Sequence, residues 1–189
     1  DILINNAGIL PKFDRFENYT VEEIDKAMQI NFYSSVYSMN ELMPIIMRSE
    51  NAAIVNVASS AALCSLAGTS VYSASKAALK SFTDAVREEH RDKCYFGLVC
   101  PGFTKTDIFR NQSESTDKAQ KAMDMVSSDC DKMVDWIING MWKKKEDMIF
   151  GVDAYLMDIG NKLCGTLCSN IASKVMRISG LGMFKSIFE

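Results

Sequence analysis

The chain has 189 residues, 48% hydrophobic and 24% charged, with a net charge of −3 and an isoelectric point near 5.3. That balance suits one globular domain with a substantial core and offers no electrostatic footprint for nucleic acid. A single histidine, His90, and six cysteines without zinc-ligand spacing point away from a metal site and toward free thiols in a reducing cytoplasm.

The sequence opens on "ILIN", a short apolar run that reads as a buried strand stopped by polar residues and Gly8. Thr20 and Glu23 form a capping-box pattern, so a helix is expected from about Val21. A second apolar pattern, from Phe32 through Val36, Met39, Met43 and Met47, carries a helix to about Arg48, with Pro44 a point of kinking. "AAIVNVASS", Ala52 to Ser60, is rich in β-branched residues and reads as a strand running out into serines.

From Tyr72 to about Arg91 the spacing of Leu79, Phe82 and Val86 predicts a helix. "YFGLVCPGF", Tyr95 to Phe103, is a third strand, ended by Pro101 and Gly102. A polar stretch, 111–121, precedes a helix around Met133 to Trp142 and a short strand from Met148 to Phe150. Near-continuously apolar strands alternating with helices indicate a parallel sheet covered on both faces, an α/β fold of the Rossmann-like, doubly wound type.

The tail, 154–189, is expected to be helical: Leu156, Leu163, Leu167, Ile171, Val175 and Ile178 recur at helical spacing, beside Lys162, Lys174, Arg177 and Lys185. Two readings remain open for it, a helix packed on its own domain or a partner subunit, and a basic amphipathic element on a membrane surface or over a lipophilic site.

In open parallel sheets ligands bind beyond the carboxyl ends of the strands. Those ends carry "NNAG" (Asn5 to Gly8), Ser59 with Ser60, and "PGFTKT" (Pro101 to Thr106). Tyr72 and Lys76 lie four apart, on one helix face, directly after the second of these. A free phenol has a pKa of about 10, and a nearby cation favours its ionised form. Tyr72 could then give and take a proton with Lys76 beside it, while Ser59 holds a carbonyl oxygen. No side chain supplies hydride, so such a reaction requires a nicotinamide or flavin.

With these residues in view, the chain resembles the classical short-chain dehydrogenase/reductase family. The resemblance rests on "NNAG" at 5–8, "NFYSSVY" at 31–37, "IVNVASSAA" at 54–62, "YSASK" at 72–76 and "PGFTKT" at 101–106, in family order over about the first 110 residues. It implies a catalytic tetrad of Asn31, Ser59, Tyr72 and Lys76. In the family the tyrosine is the general acid/base and the serine positions the substrate oxygen. The lysine lowers the tyrosine's pKa and binds the nicotinamide ribose, and the asparagine holds a relay water.

The resemblance also implies an NAD or NADP site. Asn5, Ala7 and Gly8 would stand beside the adenosine half. Pro101 and Gly102 would turn the backbone of Phe103 and Thr104 toward the carboxamide, with Thr106 near the pyrophosphate.

In the family a glycine-rich turn precedes the strand that begins here at Asp1, so these residues are expected to be part of a longer natural chain. If they were the whole molecule, Ile2 to Ile4 would form an open apolar edge. Residues 1–153 would form the catalytic part and 154–189 a tail of the same domain.

The function implied is interconversion of a secondary alcohol and a ketone or aldehyde, with a lipophilic substrate suggested by Phe103, Ile108 and Phe109. The expected assembly is a homodimer or homotetramer through the helices around 31–48 and 72–91. The expected location is cytoplasmic, with or without membrane association. Two other readings stay open: a non-catalytic remnant or dimerisation scaffold, and an epimerase or dehydratase of the extended branch sharing YxxxK.

Overall fold

A computed structural model of the chain describes residues 1–106, 108, 127–179 and 184–188. Four strands, β1 (Ile2–Asn5), β2 (Ala53–Val57), β3 (Tyr95–Pro101) and β4 (Asp147–Phe150), form a sheet in the order β1-β2-β3-β4 among the described residues. Every neighbouring pair is parallel, with Ile4 opposite Val55, Asn56 opposite Leu98 and Val99 opposite Met148.

Helices α1 (Val21–Met28), α2 (Ser34–Ile46), α3 (Ser70–Glu89) and α4 (Cys130–Trp142) lie between the strands, and α5 (Val152–Cys164), α6 (Thr166–Ser179) and the short α7 (Lys185–Phe188) follow β4. The expected polar stretch 111–121 and Phe109 lie outside the described residues.

The sequence signals for α1 are realised physically. Thr20 Oγ1 accepts from the Glu23 amide at 3.2 Å, and the Glu23 carboxylate accepts from the Thr20 amide at 2.9 Å. The next apolar pattern does not start a separate helix. Gln29–Tyr33 form a π-helical turn that runs α1 into α2. Such a turn inserts an extra residue in the helix and is frequent at functional sites. Asn31, fully buried, sits in it. Pro44 stands in the last turn of α2, which stops at Ile46.

Strand side chains alternate between the two sheet faces. One face, with Ile54 and Phe96, is covered by Met39 and Ile46 of α2 and Val86 of α3. The other, with Val55, Val99 and Met148, is covered by Trp136, Ile137 and Met141 of α4. That second cover does not reach β1, whose Ile2 and Ile4 are 59% and 51% exposed. Among the described residues β1 is therefore an edge strand that shows apolar side chains.

Candidate active site

Three strand ends deliver the expected groups to one cavity of about 460 Å³. Its lining includes Gly8 after β1, Ser59 and Ser60 after β2, Tyr72 and Lys76 of α3, and Pro101, Gly102, Thr104 and Thr106 after β3. Strand β2 stops at Val57 rather than running to the serines. Ser59, extended in backbone, starts a 3₁₀ turn over Ser60–Ala62 by accepting from the Ala61 amide at 3.2 Å. With that amide on one lone pair, the Ser59 O–H is left to the cavity side, where it meets the Tyr72 hydroxyl.

Helix α3 begins two residues before Tyr72, so the phenol sits in its first turn and not at its opening. Burial pushes the Tyr72 pKa up, and the hydrogen bond with Ser59 draws it part of the way back. This is opposite to the lowering expected from Lys76. The reason is visible in the lysine, which is itself buried and donates to the Val57 carbonyl at 2.9 Å. Burial lowers its pKa from 10.5 to about 8, against a smaller raising effect of Cys100. Removal from water dominates both groups, favouring the neutral phenol and weakening the hold of the lysine on its proton.

Asn31 does not line the cavity; it braces it from behind. Its side-chain oxygen accepts from the Ile9 amide at 2.8 Å, and its nitrogen donates to the Ile9 carbonyl at 2.9 Å and to Ser75 Oγ at 3.0 Å. Ser75 in turn donates to the Tyr72 carbonyl at 2.7 Å. The loop after β1 and the start of α3 are thus joined through one buried amide. A Cβ on Gly8 would lie 3.1 Å from Lys76 Nζ and 3.5 Å from the Asn31 oxygen, so glycine keeps this wall open.

Asn5 and Ala7 also stand outside the lining. Asn5 donates to Asn56 at 2.7 Å and accepts from Ser38 at the same distance, tying β1 to β2 and α2. Ala7 is exposed.

The turn after β3 is held by Asp153, which the sequence reading did not single out. Its carboxylate accepts from the Phe103 amide at 2.7 Å, while the Gly102 amide donates to Phe150 at 2.8 Å. A Cβ on Gly102 would come within 2.2 Å of that carboxylate. Thr104 is buried and donates to the Gly102 carbonyl at 3.1 Å. The Phe103 amide, expected to face a carboxamide, is therefore already engaged.

The apolar side of the cavity was largely missed. Leu10, Phe13, Leu66, Phe103, Ile108 and Met133 line it, and Leu10 and Phe13 are backed by Met176 of α6 and by Phe184 and Ile187. In the sequence Phe103, Ile108 and Phe109 had signalled this wall, and a tail over a lipophilic site was one of the open readings. The rest comes from loops and from a tail that folds back.

The polar half of the cavity fits the nicotinamide end of a dinucleotide: the Lys76 amine, several hydroxyl side chains and a glycine-lined wall converge at the carboxyl ends of a parallel sheet.

Comparison with known proteins follows the same line. A family model described as "short chain dehydrogenase" matches residues 1–117. The chain is 35% identical over 135 residues to "11-beta-hydroxysteroid dehydrogenase-like 2" of Arabidopsis thaliana, covering 65% of this chain and 43% of that protein. The chain thus spans less than half the length of this curated relative.

A short chain dehydrogenase from Burkholderia cenocepacia in complex with NADP superposes with a TM-score of 0.77 at 23% identity, covering 90% of this chain and 68% of that one. A short chain dehydrogenase/reductase from Burkholderia phymatum in complex with NAD gives 0.75 at 18%, covering 91% and 67%. At these identities the two structures speak for the fold.

Proposed function

We propose that this chain, which belongs to the short-chain dehydrogenase/reductase family, contributes the proton-transfer site of an NAD(P)-dependent oxidoreductase that interconverts a secondary alcohol and a ketone or aldehyde. The observation that carries the reading is the convergence of Ser59, Tyr72 and Lys76 on one cavity beyond the ends of β1, β2 and β3. A bound nicotinamide supplies or removes the hydride at carbon. Lys76, Gly8, Pro101, Gly102, Thr104 and Thr106 are the cavity residues that would hold its ring and ribose, with Asn5 and Ala7 toward the adenosine side.

The side chains manage the oxygen. A protonated Tyr72 donates its proton to the carbonyl oxygen as hydride reaches the carbon, giving the alcohol and a phenolate. Ser59, its lone pair occupied by the Ala61 amide, donates to the same oxygen and fixes its position. Lys76, with a pKa of about 8, returns a proton to the phenolate and regains one from solvent. Asn31 is a positioning residue that holds Ile9 and Ser75 around the pair.

The aliphatic and aromatic half of the lining supports a lipophilic substrate. The name of the Arabidopsis relative, hydroxysteroid dehydrogenase-like, points the same way.

Assembly as a homodimer or homotetramer is part of the proposal, supported by Tyr37, Leu42 and Ile45, exposed along α2. Contact of the tail with a membrane surface belongs to it as well. A scaffold without catalysis is the competing reading. Titrating the full natural chain with NADH and NADPH separates them: saturable enhancement of nicotinamide fluorescence with at least one is expected, and no change with either would favour the scaffold.

A further inference from the structure

Helix α5 turns its apolar stripe away from the protein. Ala154 and Asp158 are its buried residues, while Val152, Tyr155, Leu156, Ile159 and Leu163 follow one another at helical spacing on the opposite side, Leu163 being 79% exposed. Helix α6 repeats the arrangement. Met176 points inward to the Leu10–Phe13 cluster, and Leu167, Ile171, Val175 and Ile178 point outward, the last 84% exposed. The two helices pack on each other, with Cys168 of α6 against Gly160 of α5. Nine exposed apolar side chains on one helical pair exceed the single exposed residues expected of a soluble surface.

Charge decides what covers them. Both acids of these helices face the protein: the Asp153 carboxylate accepts from the Phe103 amide at 2.7 Å, and Asp158 is buried and paired with Lys162 at 2.7 Å. The cations Lys174 and Arg177 are exposed beside the α6 stripe, with no acidic partner among the described residues. A second copy meeting this face symmetrically would bring like charges together, which is costly. An apolar stripe with a cationic rim matches an anionic lipid surface. No described helix is long and apolar enough to cross a membrane, so the contact lies in the interface plane.

We propose that the outward faces of α5 and α6 are a docking surface for an anionic lipid membrane. This deepens the lipophilic-substrate reading and rests on it for its purpose: Met176, on the inner side of α6, packs against the Leu10–Phe13 wall of the cavity. One helix therefore separates the docked lipid from the substrate wall.

The test is co-sedimentation of the full natural chain with vesicles of phosphatidylcholine alone or containing 30 mol% phosphatidylglycerol. Binding to the anionic vesicles is expected, weakened by salt. The Leu163→Glu/Ile171→Glu variant should lose it at least tenfold. Lys174→Gln/Arg177→Gln, which leaves the apolar stripe intact, should weaken it by about fivefold per cation.

No binding to either vesicle would overturn the proposal, as would undiminished binding of both variants. So would a dimer in lipid-free buffer that Leu163→Glu/Ile171→Glu converts to a monomer, which would assign the face to a second copy. Turnover of a short, water-soluble ketone should be the same in both variants as in the parent. Absence of turnover in all three would count against the catalytic reading and leave the vesicle result standing.

Discussion

Helix α3 and the α5–α6 pair break the ordinary rule of burial in opposite directions. Helix α3 buries Ser73, Ser75, Lys76, Thr83 and Arg87, whereas α5 and α6 present leucine, isoleucine and valine to solvent. Buried polar groups are tolerated only when partnered. In α3 each has a partner: Lys76 donates to Val57, Thr83 to Leu79, and Arg87 to Phe96, Glu146 and Asp147. The exposed hydrocarbon of the tail has no such internal answer. The contrast teaches that polar burial in α3 builds a site inside the chain, while the apolar exposure of the tail is what the proposed lipid surface would cover.

If α3 buries polarity for chemistry at one end and architecture at the other, substitutions in and against it should divide. At the chemical end, which Ser59 faces from the turn after β2 where it meets Tyr72, Ser59→Ala should lower kcat about 10²–10³-fold, the effect of removing one oxyanion donor, with little change in unfolding midpoint. At the architectural end, Arg87→Ala should cost about 2–3 kcal/mol in urea unfolding, because it removes charge-assisted bonds joining β3 to β4. Its turnover per folded molecule should stay near normal. Equal losses of activity in both variants would erase the division.

Asn31→Ala, in the π-helical turn bonded to Ser75 of α3, should combine both kinds of effect. It strips Ile9 of both side-chain partners and should cost about 2 kcal/mol. As a positioning residue it should also raise KM for the dinucleotide more than the stability loss explains.

A smaller effect tests the burial of Lys76. Its pKa in the fold is about 8 against an ordinary 10.5, so between those values the unfolded chain binds more protons. The stability attributable to this group therefore rises as pH increases through that window. Subtracting the Lys76→Met unfolding profile from the parent's isolates the slope from thiols and phenols that titrate nearby. The difference should grow in the parent's favour from pH 8 to 10.5. A flat difference would mean that Lys76 is not strained by burial.

The smallest effect belongs to the tail. Leu163→Ser should change stability by less than about 0.5 kcal/mol, as expected at a surface position, and a larger loss would place that leucine in a core.

The fold's elements were legible because local signals agreed with tertiary ones. The Thr20–Glu23 box, the β-branched run before Ser59 and the Pro101–Gly102 stop each had a local cause that the packing kept. The π-helical turn at Gln29–Tyr33 was not legible, since its residues fit an α-helical period equally well. Asp153 and Arg87 were invisible for another reason. Each acts on residues about fifty or more positions away, Asp153 on Phe103 and Arg87 on Asp147.

The tail is the sharpest lesson. Its periodicity signalled an amphipathic helical tail but not the division at Gly165 into α5 and α6, and periodicity defines a stripe and not the direction it faces. The polar cavity groups, by contrast, were legible as a set, because strand ends of a parallel sheet must converge.

The most direct measurement is steady-state turnover of the full natural chain and its Tyr72→Phe variant with NADH or NADPH and a lipophilic ketone, at matched folding and cofactor binding. Loss of the phenolic proton donor should reduce kcat by about 10²–10⁴-fold with unchanged dinucleotide affinity. A Tyr72→Phe protein that turns over at the parent rate would contradict the assignment of proton transfer to this cavity.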